Sequence, residues 1–253
     1  IGWKGIFIVL LILGVLLLFS NLHFKESLSV DNRKRGNLKS LVSGFGIVLK
    51  NRRYVYYVLQ MGFAMGVLFA NISSSPFIVQ QHYGFSAFEF SLFFGINALA
   101  IGLAAGLSVK FKNPEHAMFL GSVGMTMMSA VEFVILSNEY HFAVYEAVLF
   151  VLLFSMGLTF TASTTLAMDC ERANSGTASA LFGAAGFAFG GIVSPLVGLG
   201  DILSTTGLIF FVCSVCSLCF SVLAMNQTHT NLWGSFKCKM GPVTRFVFLR
   251  REK

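Results

Sequence analysis

The chain has 253 residues, 55% of them hydrophobic and only 11% charged, a balance outside the range of soluble globular domains. Its net charge of +7 raises the question of nucleic acid as a partner. The basic residues are dispersed over short gaps between apolar runs, however, and orientation in a membrane explains them more simply.

Seven runs are long enough to cross a hydrocarbon core of ~30 Å, which takes roughly 20 apolar residues as helix. They cover residues 5–20, 54–79, 90–109, 116–136, 144–168, 177–199 and 204–225. All of the eighteen Lys and Arg except Lys4 fall in every second gap or in the tail. Positive loops stay in the cytoplasm, so the chain is expected to start outside, cross seven times and end with a cytoplasmic C-terminus. The predicted fold is all-α and integral to the membrane.

The first helix, within residues 1–25, opens without an initiator Met, a basic leader or a cleavage site, and so reads as a fragment whose earlier helices are missing. Residues 26–53 form a cytoplasmic linker. In it Leu38, Leu41, Val42, Phe45, Val48 and Leu49 recur at helical spacing, which suits a helix lying on the inner leaflet or an ordinary lead-in to the next span. Residues 54–225 make a six-helix block, and residues 226–253 a basic tail, with Trp233, Phe236, Phe246 and Phe248, placed against the anionic leaflet. One helix plus six is the unit expected of the rear part of a two-halved, twelve-helix transporter.

Polar and small residues inside the spans come next, because groups of that kind at membrane depth face a neighbour or a wet cavity. Pro76 removes an amide donor from the 54–79 span and should kink it, with Asn71, Ser73, Ser74 and Ser75 beside the break. The feature is either a cavity wall or a packed structural kink. Asn97 sits centrally in its span, as interhelical glue or as a substrate contact, and Gly102 and Gly106 follow as GxxxG, a close-packing signature. Ser155, Thr159 and Ser163 make a hydroxyl stripe, which can line a pathway or bond back to its own helix. In the 177–199 span Gly176, Ala180, Ala184 and Ala188 form one small-residue row and Gly183, Gly186, Gly190 and Gly191 another, ahead of Pro195. That helix is expected to be buried between partners.

Ionisable groups are few. Glu132 and Glu146 are the only acids within the predicted spans, and with both near the outer end they are expected to reach the interface. Cys213, Cys216 and Cys219 lie in an apolar helix without a fourth ligand and read as packing residues, not a metal site. Catalytic motifs such as HExxH, GxSxG or a P-loop do not occur, so no enzyme activity, catalytic residue, metal or cofactor is expected.

The run NISSSPFIVQQHY at residues 71–83, followed by GFS at 84–86 and GINALA at 95–100, resembles the major facilitator superfamily, and within it the Bcr/CflA type of drug:proton antiporter. The stretch SGTASALFGAAGF at 175–187 is similar to that family's entry into its eleventh helix. The resemblance makes the seven spans helices six to twelve, in the orientation that the charges require. It departs at Thr161-Ala162, where relatives carry a Pro-Asn pair, and at the loop KFKNPEH, a remnant of a longer basic loop. It implies the rear half of a multidrug exporter in a bacterial inner membrane, driven by the proton gradient through an acid outside this chain. The expected partners are amphipathic drug-like compounds, lipids and the missing front half; nucleic acid is not among them. Asn71, Ser75, Phe77, Gln80, Asn97 and Thr159 are the cavity-side candidates. The competing class is a seven-helix receptor, whose topology fits the same count of spans.

Overall fold

Backbone amides that enter lipid must find their partners within the segment, and every described element is accordingly helical. The computed structural model describes residues 3–24 and 38–239, with side chains over 4–24 and 43–227. The polar stretch 27–37, the side chains of Leu38, Leu41 and Val42, and the aromatic residues of the tail lie outside what is described. Seven described helices are long and apolar enough to cross a membrane.

α1 (Trp3–Leu22) belongs to a unit of its own, residues 1–40. It is apolar on all sides, and every residue from Ile6 through Phe19 is exposed along it. Its last turn is closed by polar side chains bonding back to the backbone: Ser20 donates to the Leu16 carbonyl at 2.9 Å, and the His23 ring meets that of Phe19 at 2.8 Å.

The second unit holds most of α2 (Leu38–Leu49) and all that follows. Val48 is fully buried, while Gly44 lies against Thr177 at the start of α7. Asn51 begins α3 (Arg52–Pro76): its side chain accepts the Tyr54 amide at 3.3 Å and donates to Glu171 at 2.7 Å. α4 spans Ala87–Ser108, α5 Pro114–Ser137, α6 Phe142–Cys170, α7 Ser175–Leu196 and α8 Ile202–Lys239. α3 packs on α6, α7 and α8; α6 packs on α3, α4 and α5; α5 and α8 also pack on each other. α8 continues past residue 225, where the apolar run was expected to end.

Close approaches set this packing. A side chain on Gly121 of α5 would stand 2.6 Å from the Ser155 carbonyl oxygen of α6, and one on Gly207 of α8 would stand 2.8 Å from the Phe133 Cα of α5. Gly157 of α6 meets the Ile101 carbonyl and Ala104 of α4 in the same way. The GxxxG pair is not the contact: Gly102 and Gly106 have open space beside them, because α4 turns Ala100 and Ala104 inward instead. The expectation for α7 needs a similar correction. Its buried face is Ala178, Phe182, Gly186, Gly190 and Val193, with Gly186 against Met65 and Gly190 against Phe69 of α3. Gly183, Gly191 and the row Gly176, Ala180, Ala184 and Ala188 are exposed, so the helix is covered on one side only. Cys213 has its thiol at Gly66 of α3, a packing role.

Beyond Pro76 the helix widens. Without a proline amide the regular ladder is interrupted, and Phe77 donates to the Ser74 carbonyl. A π-helical turn then covers Phe77–His82, closed by the Tyr83 amide on the Ile78 carbonyl at 3.0 Å. Gly84, at φ +76°, reverses the chain, and Ser86 with Glu89 forms a capping box that starts α4. Pro195 lies in the last turn of α7, which tightens into a 3₁₀ turn over Val197–Leu199. Asp201 accepts the Ser204 amide at 2.9 Å at the head of α8, and that bond holds its carboxyl below the usual range.

Candidate functional site

The bundle has two unlike ends. At the end carrying Arg52, Arg53, Lys110, Lys112 and Arg172, the helices are tied by charge: Arg53 pairs with Glu115 at 2.8 Å and donates to Tyr57 at 3.1 Å. Tyr54, fully buried, donates to the Ala178 carbonyl at 2.7 Å and fixes α3 on α7.

Midway, Gln60 is a polar node that sequence reading passed over. It is fully buried, donates to Ser217 of α8 at 3.0 Å and accepts from Ser163 of α6, while Ser217 donates to its backbone carbonyl at 3.1 Å. With Ser122 of α5 also at 3.5 Å from the Gln60 amide nitrogen, four helices are held by groups that satisfy one another, which is the stable form of a buried polar cluster. Nothing in the apolar run around Gln60 signals it except the residue type.

The opposite end carries the candidate site. Asn71 and Ser75 on α3 are buried and joined: Ser75 donates to the Asn71 side-chain oxygen at 2.8 Å and to its carbonyl at 2.7 Å. Ser75 also stands beside the hydroxyl of Tyr145 on α6, without a hydrogen bond of ordinary geometry. Asn97 on α4 donates to Glu146 on α6 at 2.8 Å. Phe77 is 43% exposed and Gln80 half-buried on the π-helical turn. Thr159 lies apart from these, in the seam between α5 and α6, with its methyl against Gly121 and its hydroxyl on the Met156 carbonyl at 2.7 Å.

Glu146 also lines a groove of about 480 Å³ between α4 and α6. Its walls are Phe93, Ile96, Phe142 and Phe150, with Ala143 and Ala147, so the carboxylate is the one ionisable group on an otherwise apolar surface. Behind the groove Phe142 joins Phe85, Phe93, Tyr83 and Tyr145 in an aromatic cluster. Tyr83, in the loop, donates to the Tyr140 carbonyl at 2.8 Å; its burial, and then Glu132 and Glu139, push its hydroxyl pKa up.

Glu132 departs most from expectation. It does not reach the interface: it is fully buried in α5, and neither carboxylate oxygen has a hydrogen-bond partner among the described residues. The rotation of α5 that seats Gly121 on α6 and Phe133 on α8 turns Glu132 inward.

Residues 1–195 match the Major Facilitator Superfamily. The chain is also similar to an uncharacterized MFS-type transporter, YdgK, of Bacillus subtilis (strain 168), with 35% identity over 235 residues, which is 90% of this chain and 58% of that protein. The chain therefore spans little more than half the length of this relative.

Proposed function

From the premise that this chain belongs to the major facilitator superfamily, we propose that it supplies the rear part of a carrier exporting amphipathic compounds, cations among them, in exchange for protons. Membership of a transporter family favours this class over the seven-helix receptor and over an enzyme. The observation that carries the finer reading is the groove between α4 and α6, where Glu146, oriented by Asn97, faces phenyl rings. Apolar walls accept a hydrophobic body of varied shape, and aromatic faces and a carboxylate attract a positive charge. A polar substrate would find few hydrogen-bonding groups there.

The carrier sits in a bacterial inner membrane with the basic end of the bundle, and the C-terminus, in the cytoplasm. Alternating access comes from rocking of this six-helix block against a front half. Asn71, Ser75, Phe77 and Gln80 then belong to the wall of the pathway at its outer end.

The test is a carrier containing this chain, expressed in a strain stripped of its own exporters. Ethidium accumulation should fall, and a proton ionophore should restore it. Glu146→Gln should weaken export of ethidium while leaving export of a neutral amphiphile of similar size near the parent level. Unchanged resistance to every compound tried, with accumulation indifferent to the ionophore, sinks the reading.

A further inference from the structure

One carboxyl in the interior is left without an answer from the rest of the bundle. Glu132 is 0% exposed, and both of its oxygens lack partners among the described residues. Three hydroxyls buried to the same degree are also unpartnered at this end among the described residues: Ser74 on α3, Tyr145 on α6 and Thr206 on α8, next to the Gly207 that packs on Phe133. The groups that act electrostatically on Glu132 or on Tyr145 are Tyr83 from the loop after α3, and Glu146 on α6, while Ser75 of α3 stands at the Tyr145 hydroxyl. None of them is a cation. Of the histidines at this end, His82 acts on Asp201 and His141 caps the start of α6, accepting the Ala143 amide.

An ion pair is thus not what holds this carboxyl in the interior. A single carboxylate with hydroxyls around it is also a poor cage for a metal, and no cluster of three or more His, Cys, Asp and Glu exists among the described residues. The species that such a group binds best is a proton, because protonation removes the charge that burial penalises and turns an orphan acceptor into a donor for a neighbouring hydroxyl. A nearby second carboxylate strengthens the case. Glu132 and Glu146 repel each other when both are charged, so a cation seated on Glu146 and a proton seated on Glu132 relieve the same repulsion in alternation.

We propose that Glu132 is a proton-binding site of this carrier, exchanging its proton with water as the cationic substrate leaves or enters at Glu146; the proposal rests on the exporter reading above. In the outward-facing state a hydronium ion gives its proton to a Glu132 oxygen, forming an O–H bond, as the substrate departs. In the inward-facing state that O–H bond breaks and the proton passes to cavity water as the next substrate arrives. The charge count is unchanged in each exchange. Tyr145 and Ser75 are positioning residues, whose hydroxyls orient the carboxyl and any water that reaches it. The coupling acid, looked for outside this chain from sequence, then has a candidate within it.

The experiment uses the carrier that contains this chain, in proteoliposomes, with tetraphenylphosphonium as the probe. Wild type should accumulate the probe under an imposed pH gradient and also exchange it in counterflow without one. Glu132→Gln, which keeps the shape and removes the titration, should lose gradient-driven accumulation to the level of empty vesicles, while counterflow persists and no longer varies with pH. Glu132→Asp should restore part of the gradient-driven transport. A second readout is independent of substrate: infrared difference spectra between acid and neutral pH should show a protonated-carboxyl band that Glu132→Gln removes and Tyr145→Phe shifts. Gradient-driven accumulation retained in Glu132→Gln, or a carboxyl band that survives it, overturns the proposal. So does accumulation driven by sodium alone. If wild type moves no tetraphenylphosphonium at all, the exporter reading is what fails, and the infrared band still decides whether Glu132 takes a proton.

Discussion

At the level of single residues, the difference between Gln60 and Glu132 is one of satisfaction. Both are fully buried polar groups, yet the Gln60 amide has partners on three other helices and the Glu132 carboxylate has none among the described residues. Gln60→Leu should therefore strand Ser163, while Ser217 keeps its bond to the backbone carbonyl, and destabilise the bundle by about 1–3 kcal/mol, seen as a lower unfolding midpoint in detergent. Glu132→Leu removes an orphan instead of creating one, and should leave that midpoint unchanged or raise it. The sequence carries both letters inside apolar runs but not their surroundings. Which way Glu132 faces depends on how α5 is rotated between α6 and α8, and that is decided by Gly121 on its own helix and by Gly207 on α8, much further along the chain.

The helices themselves were legible in the sequence, because a run of apolar residues of spanning length has few alternatives in lipid. Their contacts were less so. A glycine pair announces that a close approach is possible on one face without saying whether a neighbour takes it. α4 leaves Gly102 and Gly106 open and offers Ala104 to Gly157, whereas Gly121, with no glycine four residues away, carries the tightest part of the α5–α6 seam. Gly121→Leu should overpack that seam and destabilise by about 1–3 kcal/mol or more, while Gly102→Leu should be tolerated. Unfolding midpoints of the two purified variants, measured side by side, check this. The reverse order would mean that α4 packs through its glycine face in the membrane.

For the molecule as a whole, the charge pattern makes a prediction about sidedness. Cysteine placed at Asn138 should react with a membrane-impermeant maleimide added to intact cells, and cysteine at Lys112 only after permeabilisation. Labelling of the opposite kind would invert the topology that all but one of the basic residues support. A second prediction concerns autonomy. Expressed alone, residues 1–253 should insert yet transport nothing, since the open face of α7, with Ala180, Ala184 and Ala188, and the outer end of α3 lack the surface against which a rocking half would move. Ethidium flux in proteoliposomes holding only this chain, lost on Pro76→Ala, would point to a working pair of copies.

The widened turn at Phe77–His82 has a consequence for how the chain tolerates changes of length. A π-helical turn equals an α-helical one with a residue inserted, so it sets the angular phase of everything after it. Deleting Gln81, which is exposed, would let the turn relax to regular helix and leave the following residues close to their present phase, whereas a deletion in the regular helix before it would swing them by roughly one helical step of 100°. In the second case Tyr83 and Phe85 would leave Phe142, and the ring cluster behind the groove would come apart although no aromatic side chain had been altered. At this one stretch after α3, a missing codon is a lighter lesion than in the regular helix before it.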